Sequence, residues 1–250
     1  MIKIAVPARL CSSRIKNKML IQINGETVIE KTVKQIMKSD FVGEIHVFTD
    51  SEKISNVINK NFLSNIECHI TPDYYSNGTE RISDNINFLD QCDHIMIILG
   101  DQPFLNYTHI NILLDYYKTN EIPNNQITTL YSEISENEAN DLSIAKIVTS
   151  NNDFVHYISR SVIPCNYKNN KFSYIYKKHI SIVVIPYQKL KLYYLTPNTQ
   201  NQLMEDNEWI KFIDLLDCKI KCLKVSNSER DVNTIDDLNY LINKYCEQVV

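Results

Sequence analysis

The sequence predicts an α/β protein built as a single wound, mostly parallel β-sheet. Two observations support this. Short β-rich runs alternate with segments of helical spacing through the first part of the chain. One of these runs, Asp93 to Leu99, is continuously apolar from Ile95 onward, as is typical of a strand buried on both faces of a parallel sheet. At 250 residues the chain is long enough to bury a large core without disulfides or structural metals.

The first half predicts successive units of strand, loop and helix. Ile2 to Val6 predicts the first strand, and Glu26 to Lys38 has helical spacing. The elements predicted after these are strands at Glu44 to Thr49, Ile66 to Ile70 and Asp93 to Leu99, and helices at Glu52 to Lys60 and Ile82 to Leu89. Such alternation implies right-handed βαβ units, which bind ligands beyond the carboxyl ends of their strands. Arg9, Asp50 and Asp101 fall at those ends.

The second half has a different order of elements, and no linker separates it from the first. The predicted strands are Ile144 to Thr149, Phe154 to Ile158, Ile180 to Ile185 and Ile220 to Lys224, and the predicted helices are Pro186 to Tyr194, Thr199 to Leu216 and Asp236 to Tyr245. We therefore expect one domain over residues 1–250 with an antiparallel portion inserted at about 151–170. A projecting strand pair needs cover, so this portion is expected to pack against a partner.

Composition and charge exclude several classes of protein. The net charge is -4, and 26 Lys and Arg residues are scattered among 30 acidic ones, which argues against nucleic-acid binding and a membrane-surface helix. No apolar run is long enough to span a bilayer. The seven cysteines lack disulfide-framework spacing, and no signal-like stretch opens the chain, so we expect reduced thiols and a cytoplasmic location.

The loop after the first strand concentrates basic side chains. From Pro7 to Leu20 the chain reads P-A-R-L-C-S-S-R-I-K-N-K-M-L, without an acidic residue. Its cations are Arg9, Arg14, Lys16 and Lys18, with Ser12 and Ser13 as hydroxyl donors between them. Guanidinium groups pair with phosphate oxygens in bidentate fashion, and lysine adds a point charge. A solvated basic turn is the alternative on charge alone, but a place at the carboxyl end of a strand favours polyphosphate binding.

Several motifs resemble those of one enzyme family, in the family's order. They are the loop just described, S-N-G-T-E-R from Ser76 to Arg81, G-D-Q-P from Gly100 to Pro103, S-R-S-V-I-P from Ser159 to Pro164, K-H-I-S-I around His179, and D-V-N-T-I-D-D-L from Asp231 to Leu238. The chain has no G-x-x-x-x-G-K-[ST] or G-x-G-x-x-G motif, which argues against Walker-type ATP hydrolysis and dinucleotide binding. Over nearly its whole length the chain resembles the 3-deoxy-manno-octulosonate cytidylyltransferases.

This resemblance implies a fold, a reaction and partners. The fold is like that of nucleotide-diphospho-sugar transferases, with a nucleotide-binding half at about 1–110 and a sugar-binding and dimerisation half at about 111–250. In the reaction the sugar's anomeric hydroxyl attacks the α-phosphorus of CTP and releases pyrophosphate, with Mg²⁺ required, for lipopolysaccharide or capsule synthesis. The small-molecule partners are CTP and a sugar acid. A second copy of the chain would bind through the inserted antiparallel portion and form a homodimer.

The resemblance also implies roles for individual residues. Catalysis would depend on Arg9, Lys18 and Asp101, because cations and metal stabilise the negative charge that spreads over phosphoryl oxygens. The nucleotide would contact Pro7, Ala8, Arg9, Ser12, Ser13, Arg14, Lys18, Ser76, Gly78, Thr79, Arg81 and Asp101. The sugar acid would contact Arg160, Lys178, His179, Glu205 and Asp206.

Simpler structural alternatives exist for some of these side chains. Asp101 could cap a turn instead of binding Mg²⁺. Thr79 could cap the helix that follows it. Arg81 could anchor an acid rather than reach a phosphate. A lone histidine beside a strand, such as His179, is more often structural than functional.

The sequence departs from the family pattern at the metal site. Asn233 stands where the family has a second metal-binding aspartate, and an asparagine offers Mg²⁺ a carbonyl oxygen but no charge. Asp231 could replace it, although alternate residues of an extended segment point in opposite directions. The candidate metal ligands are therefore Asp101, Asp231 and Asn233.

Three positions that are polar in the family also differ here. Leu99 replaces the family's glutamine, and Lys178 and Glu208 each replace an arginine. We therefore hypothesise a sugar related to 3-deoxy-manno-octulosonate, such as an amino or otherwise altered ulosonic acid. Two other functions stay open. One is a cytidylyltransferase for nonulosonic acids of the sialic type, which the S-N-G-T-E-R and S-R-S-V-I-P motifs disfavour. The other is a catalytically silent homologue that binds nucleotide or sugar.

Overall fold

A computed structural model describes residues 1–11, 15–62, 65–168, 174–226, 228–229, 231–232 and 234–246. The strands are β1 (Ile2–Pro7), β2 (Gln22–Ile23), β3 (Glu26–Thr27), β4 (Ile45–Thr49), β5 (Ile66–Ile70), β6 (His94–Ile98), β7 (Gln126–Ile134), β8 (Lys146–Thr149), β9 (Val155–Ser159), β10 (Tyr176–Pro186) and β11 (Lys219–Val225). The α-helices are α1 (Val28–Met37), α2 (Glu52–Asn61), α3 (Gly78–Asp84), α4 (Thr108–Thr119), α5 (Glu136–Ala139), α6 (Tyr187–Tyr193), α7 (Gln200–Glu205), α8 (Ile210–Asp214) and α9 (Ile235–Tyr245). Short 3₁₀-helices lie at Lys18–Leu20 and Ile86–Leu89.

One large sheet organises the molecule. Within the described residues it has nine strands, with the path β11-β7-β10-β6-β1-β4-β5 and with β8 and β9 attached beside β10. The strands from β6 through β1 and β4 to β5 are parallel, and β7 and β11 are parallel to each other. Between these two groups β10 runs antiparallel to β6 and β7. The predicted single wound sheet, parallel in its first half, is confirmed.

Helices cover both faces of the sheet because the apolar side chains of its strands alternate in direction. Ile4 and Val6 of β1 belong to the core cluster that includes buried residues of α1 and α4. Ala5 belongs to a second cluster with buried residues of α3, α6 and α8. The central strand β1 is therefore enclosed on both sides, and its carboxyl end opens where β6 also ends.

Two predicted helices have different boundaries in the structure. Helix α3 begins at Gly78 rather than Ile82, because the side chain of Asn77 accepts a hydrogen bond from Glu80 N at 2.9 Å and caps the helix. The alternative in which Thr79 caps this helix is therefore wrong. The helix predicted at Thr199 to Leu216 is divided into α7 and α8, because Asp206 adopts a left-handed conformation, with φ of 45°, and ends α7.

The antiparallel portion predicted at about 151–170 begins earlier in the structure, as a hairpin of β8 and β9. Ile147 pairs with Ile158, and β8 also pairs with β10, so the hairpin extends the main sheet. Phe154 forms a further antiparallel bridge to Lys221 of β11. Residues 169–170 of the predicted insertion lie outside the described part of the chain. No helix within the described ranges is both long enough and apolar enough to cross a membrane.

Candidate active site

A cavity of about 330 Å³ lies at the carboxyl ends of β1 and β6. The predicted site residues in its wall are Pro7, Arg9, Lys18, Ser76, Gly78, Arg81, Asp101, Arg160, Lys178, His179, Asp206 and Asp231. Ala8, Thr79 and Glu205 are described but are not part of this wall. Ser12, Ser13, Arg14 and Asn233 lie outside the described residues. The structure thus brings together predicted residues from both halves of the chain.

The start of the basic loop is held by a buried ion pair. Asp50 accepts a hydrogen bond from Leu10 N at 2.7 Å and a second from the guanidinium of Arg81 at 3.0 Å. Arg81 also donates to Thr71 Oγ1 at 2.6 Å and to the Pro72 carbonyl at 3.0 Å. Burial lowers the pKa of Arg81, and the charge of Asp50 opposes that shift. Arg81 therefore anchors an acid, the second of its predicted alternatives, and positions the loop through Asp50.

Two glycines allow the elements around Pro7 to pack closely. A Cβ atom at Gly78, the first residue of α3, would lie 2.7 Å from Pro7 Cγ. A Cβ atom at Gly100 would lie 3.0 Å from Ile29 Cδ1 and 3.1 Å from the Pro7 carbonyl. Because these approaches are shorter than ordinary contacts, a side chain at either position would push α3 or the loop after β6 away from Pro7.

Lys18 and Asp101 form a second buried ion pair, directly in the cavity wall. The Lys18 Nζ atom lies 2.5 Å from Asp101 Oδ2, and both side chains are buried. The other carboxylate oxygen, Oδ1, is buried and has no hydrogen-bond partner among the described residues. The carboxylate of Asp101 thus pairs with Lys18 rather than capping a turn. A buried anionic oxygen without a partner is costly, so this atom is a candidate ligand for a cation.

Asp231 lies beside this pair. The Val232 amide donates to the Asp101 carbonyl at 2.9 Å, which ties the segment before α9 to the loop after β6. The pKa of Asp231 is raised, first because the carboxyl is buried and then because Asp101 is negatively charged nearby, while Lys178 and Lys18 act in the opposite direction. The buried carboxylate of Asp101, with its unpartnered oxygen, and the half-buried Asp231 beside it are a donor set that suits a hard divalent cation such as Mg²⁺. The residues present therefore fit the predicted metal site.

Arg160, Glu205 and Asp206 join α7 to the end of β9. The Glu205 carboxylate accepts hydrogen bonds from Ser159 Oγ at 2.7 Å and Arg160 N at 2.8 Å. The Arg160 guanidinium donates to the backbone carbonyls of Glu205, Asp206, Ser143 and Leu142. Its contact with the Asp206 carboxylate is longer, at 3.6 Å. In this arrangement Arg160 and Asp206 line the cavity and Glu205 holds Arg160 from behind, and direct contacts between them and a sugar stay a prediction.

His179 is a buried, neutral residue of the same wall. Burial lowers its pKa to about 3, so the imidazole is uncharged at neutral pH. Its Nε2 atom lies 3.0 Å from Thr129 Oγ1, and its ring packs edge-on against Trp209 with centroids 4.7 Å apart. The neighbouring Lys178 donates to the Glu229 carbonyl at 2.9 Å. A neutral imidazole can exchange hydrogen bonds with a hydroxyl group but cannot pair electrostatically with a carboxylate.

Glu208 is a cavity residue that departs from the family pattern but was not among the candidate site residues predicted from the sequence. It is half-buried in the wall and accepts a hydrogen bond from Thr79 Oγ1 at 2.7 Å. Burial raises its pKa to about 7, while hydrogen bonds from Thr79 and from the Gly78 amide lower it. Glu208 therefore links the N-terminus of α3 to the segment between α7 and α8. Nothing around it in the sequence indicates this contact, because its partner lies 129 residues away.

Comparison with known proteins shows which family this chain resembles. A family model described as "Cytidylyltransferase" matches residues 4–231. A 3-deoxy-manno-octulosonate cytidylyltransferase from Fusobacterium nucleatum is 33% identical over 246 residues, with 95% of this chain and 94% of the relative covered. A protein of the same name from Chlorobium phaeobacteroides is 29% identical over 245 residues, with 96% and 95% covered.

Solved structures share the fold. A CMP:2-keto-3-deoxy-manno-octonic acid synthetase complexed with CTP superposes with a TM-score of 0.85 at 23% identity, with 97% of each chain covered. A 4-diphosphocytidyl-2C-methyl-D-erythritol synthase from Anaerococcus prevotii gives a TM-score of 0.64 at 13% identity, with 99% of this chain and 96% of that one covered. The match to the family model and the similarity to the Fusobacterium enzyme each extend over most of the chain. The protein therefore belongs to the cytidylyltransferase family, as one of the 3-deoxy-manno-octulosonate cytidylyltransferases.

Proposed function

We propose that the protein transfers CMP from CTP to the anomeric hydroxyl of 3-deoxy-manno-octulosonate, or of a closely related ulosonic acid, and releases pyrophosphate. The observation that carries this proposal is the meeting of Lys18, Asp101 and Asp231 at the carboxyl ends of β1 and β6. The names of the relatives from Fusobacterium and Chlorobium support the choice of sugar, and the CTP complex of the similar structure supports the choice of nucleotide.

The basic loop would bind the triphosphate. Arg9 is exposed in the cavity wall, and Lys18 lies at the cavity's base beside Asp101. In cytidylyl transfer negative charge accumulates on the oxygens of the α-phosphate and on the departing pyrophosphate. Fixed cations lower the free energy of the transition state because they are already in place when the negative charge develops. Asp50 and Arg81 would contribute indirectly, since they hold the backbone of the loop at Leu10.

Asp101 and Asp231 would hold Mg²⁺, with Asn233 as a further oxygen donor. This proposal is supported by the unpartnered Asp101 Oδ1 atom and by the raised pKa of Asp231 beside Asp101. When bound there, Mg²⁺ would supply positive charge to the phosphoryl oxygens and keep several of its waters. An ion between the two carboxylates would also offset the cost of burying both negative charges.

The sugar acid would enter from the side of β9, β10 and α7. Lys178 and Arg160 bring positive charge to that wall, and neutral His179 can form a hydrogen bond with a sugar hydroxyl. We propose that the anomeric hydroxyl reaches the α-phosphorus from this side, opposite the leaving pyrophosphate. The homodimer, the cytoplasmic location and a place in lipopolysaccharide or capsule synthesis stay predictions.

Pyrophosphate release with CTP and MgCl₂ tests the proposal across a panel of sugar acids. The panel should contain 3-deoxy-manno-octulosonate, an amino-substituted ulosonic acid and a sialic acid. We expect turnover with 3-deoxy-manno-octulosonate or the amino sugar and much slower turnover with sialic acid. A preference for sialic acid would contradict the proposed substrate. Binding of CTP without turnover of any sugar would instead indicate a catalytically silent homologue.

A further inference from the structure

A second cluster of ligand-type side chains lies on the edge of the sheet, apart from the cavity. In the parallel pair of β4 and β5, His46 is in register with Glu67, and Phe48 is in register with His69. Residues two apart in a strand share a face, so His46, Glu67 and His69 project from the same side of the sheet. None of the three lines the cavity described above.

The three ligand atoms are close enough to share one ion. His46 Nδ1 and His69 Nε2 are 2.9 Å apart, and Glu67 Oε2 lies 3.8 Å from the first and 3.7 Å from the second. A point equidistant from these three atoms lies about 2.0 Å from each, and zinc bonds to imidazole nitrogen and carboxylate oxygen are about 2.0–2.2 Å long. The triangle therefore has the size of one face of a zinc coordination shell.

The surroundings of the cluster match those of a metal-binding histidine. The second nitrogen of His46, Nε2, lies 3.4 Å from the carboxylate of Glu44, which in turn pairs with Lys3 at 2.7 Å. Histidines that bind metals usually donate their other N–H to a carboxylate in this way, which fixes the ring and its tautomer. The ring of His69 is held by stacking on Phe88, with centroids 4.2 Å apart.

The cluster is also reachable. The side chains of His46 and His69 are 2% and 9% exposed, whereas that of Glu67 is 63% exposed, so an ion can enter from the solvent side past this carboxylate. Imidazole nitrogen with one carboxylate is a ligand set that suits zinc and neighbouring transition metals better than Mg²⁺ or Ca²⁺. Without an ion the two rings can form only one hydrogen bond with each other, in which one nitrogen donates and the other accepts.

We propose that His46, Glu67 and His69 form a binding site for a divalent transition-metal ion of the zinc class. Three protein ligands leave the fourth position of the ion to water. The ion would join β5, the strand at the edge of the sheet, to β4 through side chains in addition to the backbone hydrogen bonds. The site is independent of the cytidylyl-transfer proposal, because no residue is shared between them.

Zinc stoichiometry tests the proposal. Metal-free protein is dialysed against a small molar excess of ZnCl₂ with MgCl₂ present, and bound zinc per chain is counted by atomic absorption. The variants are His69→Gln and Glu67→Gln, and the control is His156→Gln, which changes an exposed histidine of β9. We expect the wild type and the control to hold one zinc more per chain than either variant. Equal zinc in the wild type and in Glu67→Gln and His69→Gln would overturn the proposal.

Thermal melting and X-ray absorption give a second readout. Zinc should raise the melting temperature of the wild type by roughly 5 °C, since a ligand that binds only the folded state stabilises it. The Glu67→Gln variant, altered at an exposed side chain, should fold normally and show no such rise. Absorption at the zinc edge should report two imidazole ligands in the wild type. Thiolate ligation alone, or the same temperature rise in Glu67→Gln, would contradict the assignment.

Discussion

Lys18 is the residue on which the proposed catalysis depends most directly, because its ammonium lies in the cavity wall beside Asp101. We expect Lys18→Met to lower kcat by about 10²-fold or more, as loss of a group that stabilises transition-state charge usually does. Steady-state pyrophosphate release measures this effect. The control is Lys118→Met, at an exposed position of α4. A Lys18→Met enzyme with nearly normal kcat would exclude this role.

Glu208 should make stability depend on pH. Its pKa is about 7 in the folded protein and about 4.5 when unfolded, so between these values the folded state binds more protons than the unfolded state. Ionisation of this carboxyl therefore destabilises the folded protein. As pH rises from about 4.5 to 7, the free energy of unfolding falls by up to about 3 kcal/mol.

The variant Glu208→Gln tests this contribution because glutamine keeps the shape and cannot ionise. Its melting temperature should exceed that of the wild type at pH 8 and should approach the wild-type value near pH 5. Thermal denaturation monitored by circular dichroism from pH 5 to pH 8 measures the difference. Parallel curves for the two proteins across this range would show that the carboxyl of Glu208 titrates normally.

At the scale of single residues, the sequence predicted which side chains line the cavity better than it predicted the contact partner of each side chain. Charge and position after β1 and β6 indicated Arg9, Lys18 and Asp101, because strand ends meet at one edge of a sheet. Whether Asp231 points toward Asp101 could not be predicted, since direction alternates along an extended segment. The contact of Glu208 with Thr79 depends on tertiary packing alone.

Among the elements, the residue after β4 is joined to α3 by the buried ion pair of Asp50 and Arg81, whose side chains are 8% and 2% exposed. We expect Asp50→Asn to lower the free energy of unfolding by about 3–5 kcal/mol, because it leaves a buried guanidinium without its counter-charge. Urea denaturation measures the loss. The control Asp73→Asn, at an exposed position, should change it by less than about 0.5 kcal/mol. Equal stability of the two variants would show that the ion pair contributes little.

The elements that sequence patterns predicted are those with strong periodicity or clear end signals. Strand β5 and helix α2 agree with their predicted bounds almost to the residue. Strand β7 was not predicted, although it is central to the second half of the sheet. Its buried positions include the hydroxyl residues Thr128, Thr129 and Ser132, so hydropathy gives a weak signal there. The break between α7 and α8 depends on the conformation of Asp206, which periodicity does not reveal.

For the whole molecule, the predicted homodimer can be tested through the inserted portion. Tyr167, at the end of this portion, is 88% exposed, so its ring is available for contact with a second copy of the chain. Sedimentation equilibrium should give twice the chain mass of 29.2 kDa. We expect Tyr167→Asp to weaken the dimer and Val42→Asp, an exposed apolar position outside the insertion, to leave it intact. A wild-type monomer at micromolar concentration would contradict the predicted assembly.

A crystal of the protein soaked with CTP and MgCl₂ would test the proposed nucleotide and metal sites in one measurement, because the structure locates both ligands together. We expect the triphosphate along the loop from Pro7 to Lys18, with its α-phosphate beside Lys18. The Mg²⁺ ion should lie between Asp101 Oδ1 and the carboxylate of Asp231. A triphosphate bound elsewhere, or a metal that contacts neither carboxylate, would contradict the account of the site.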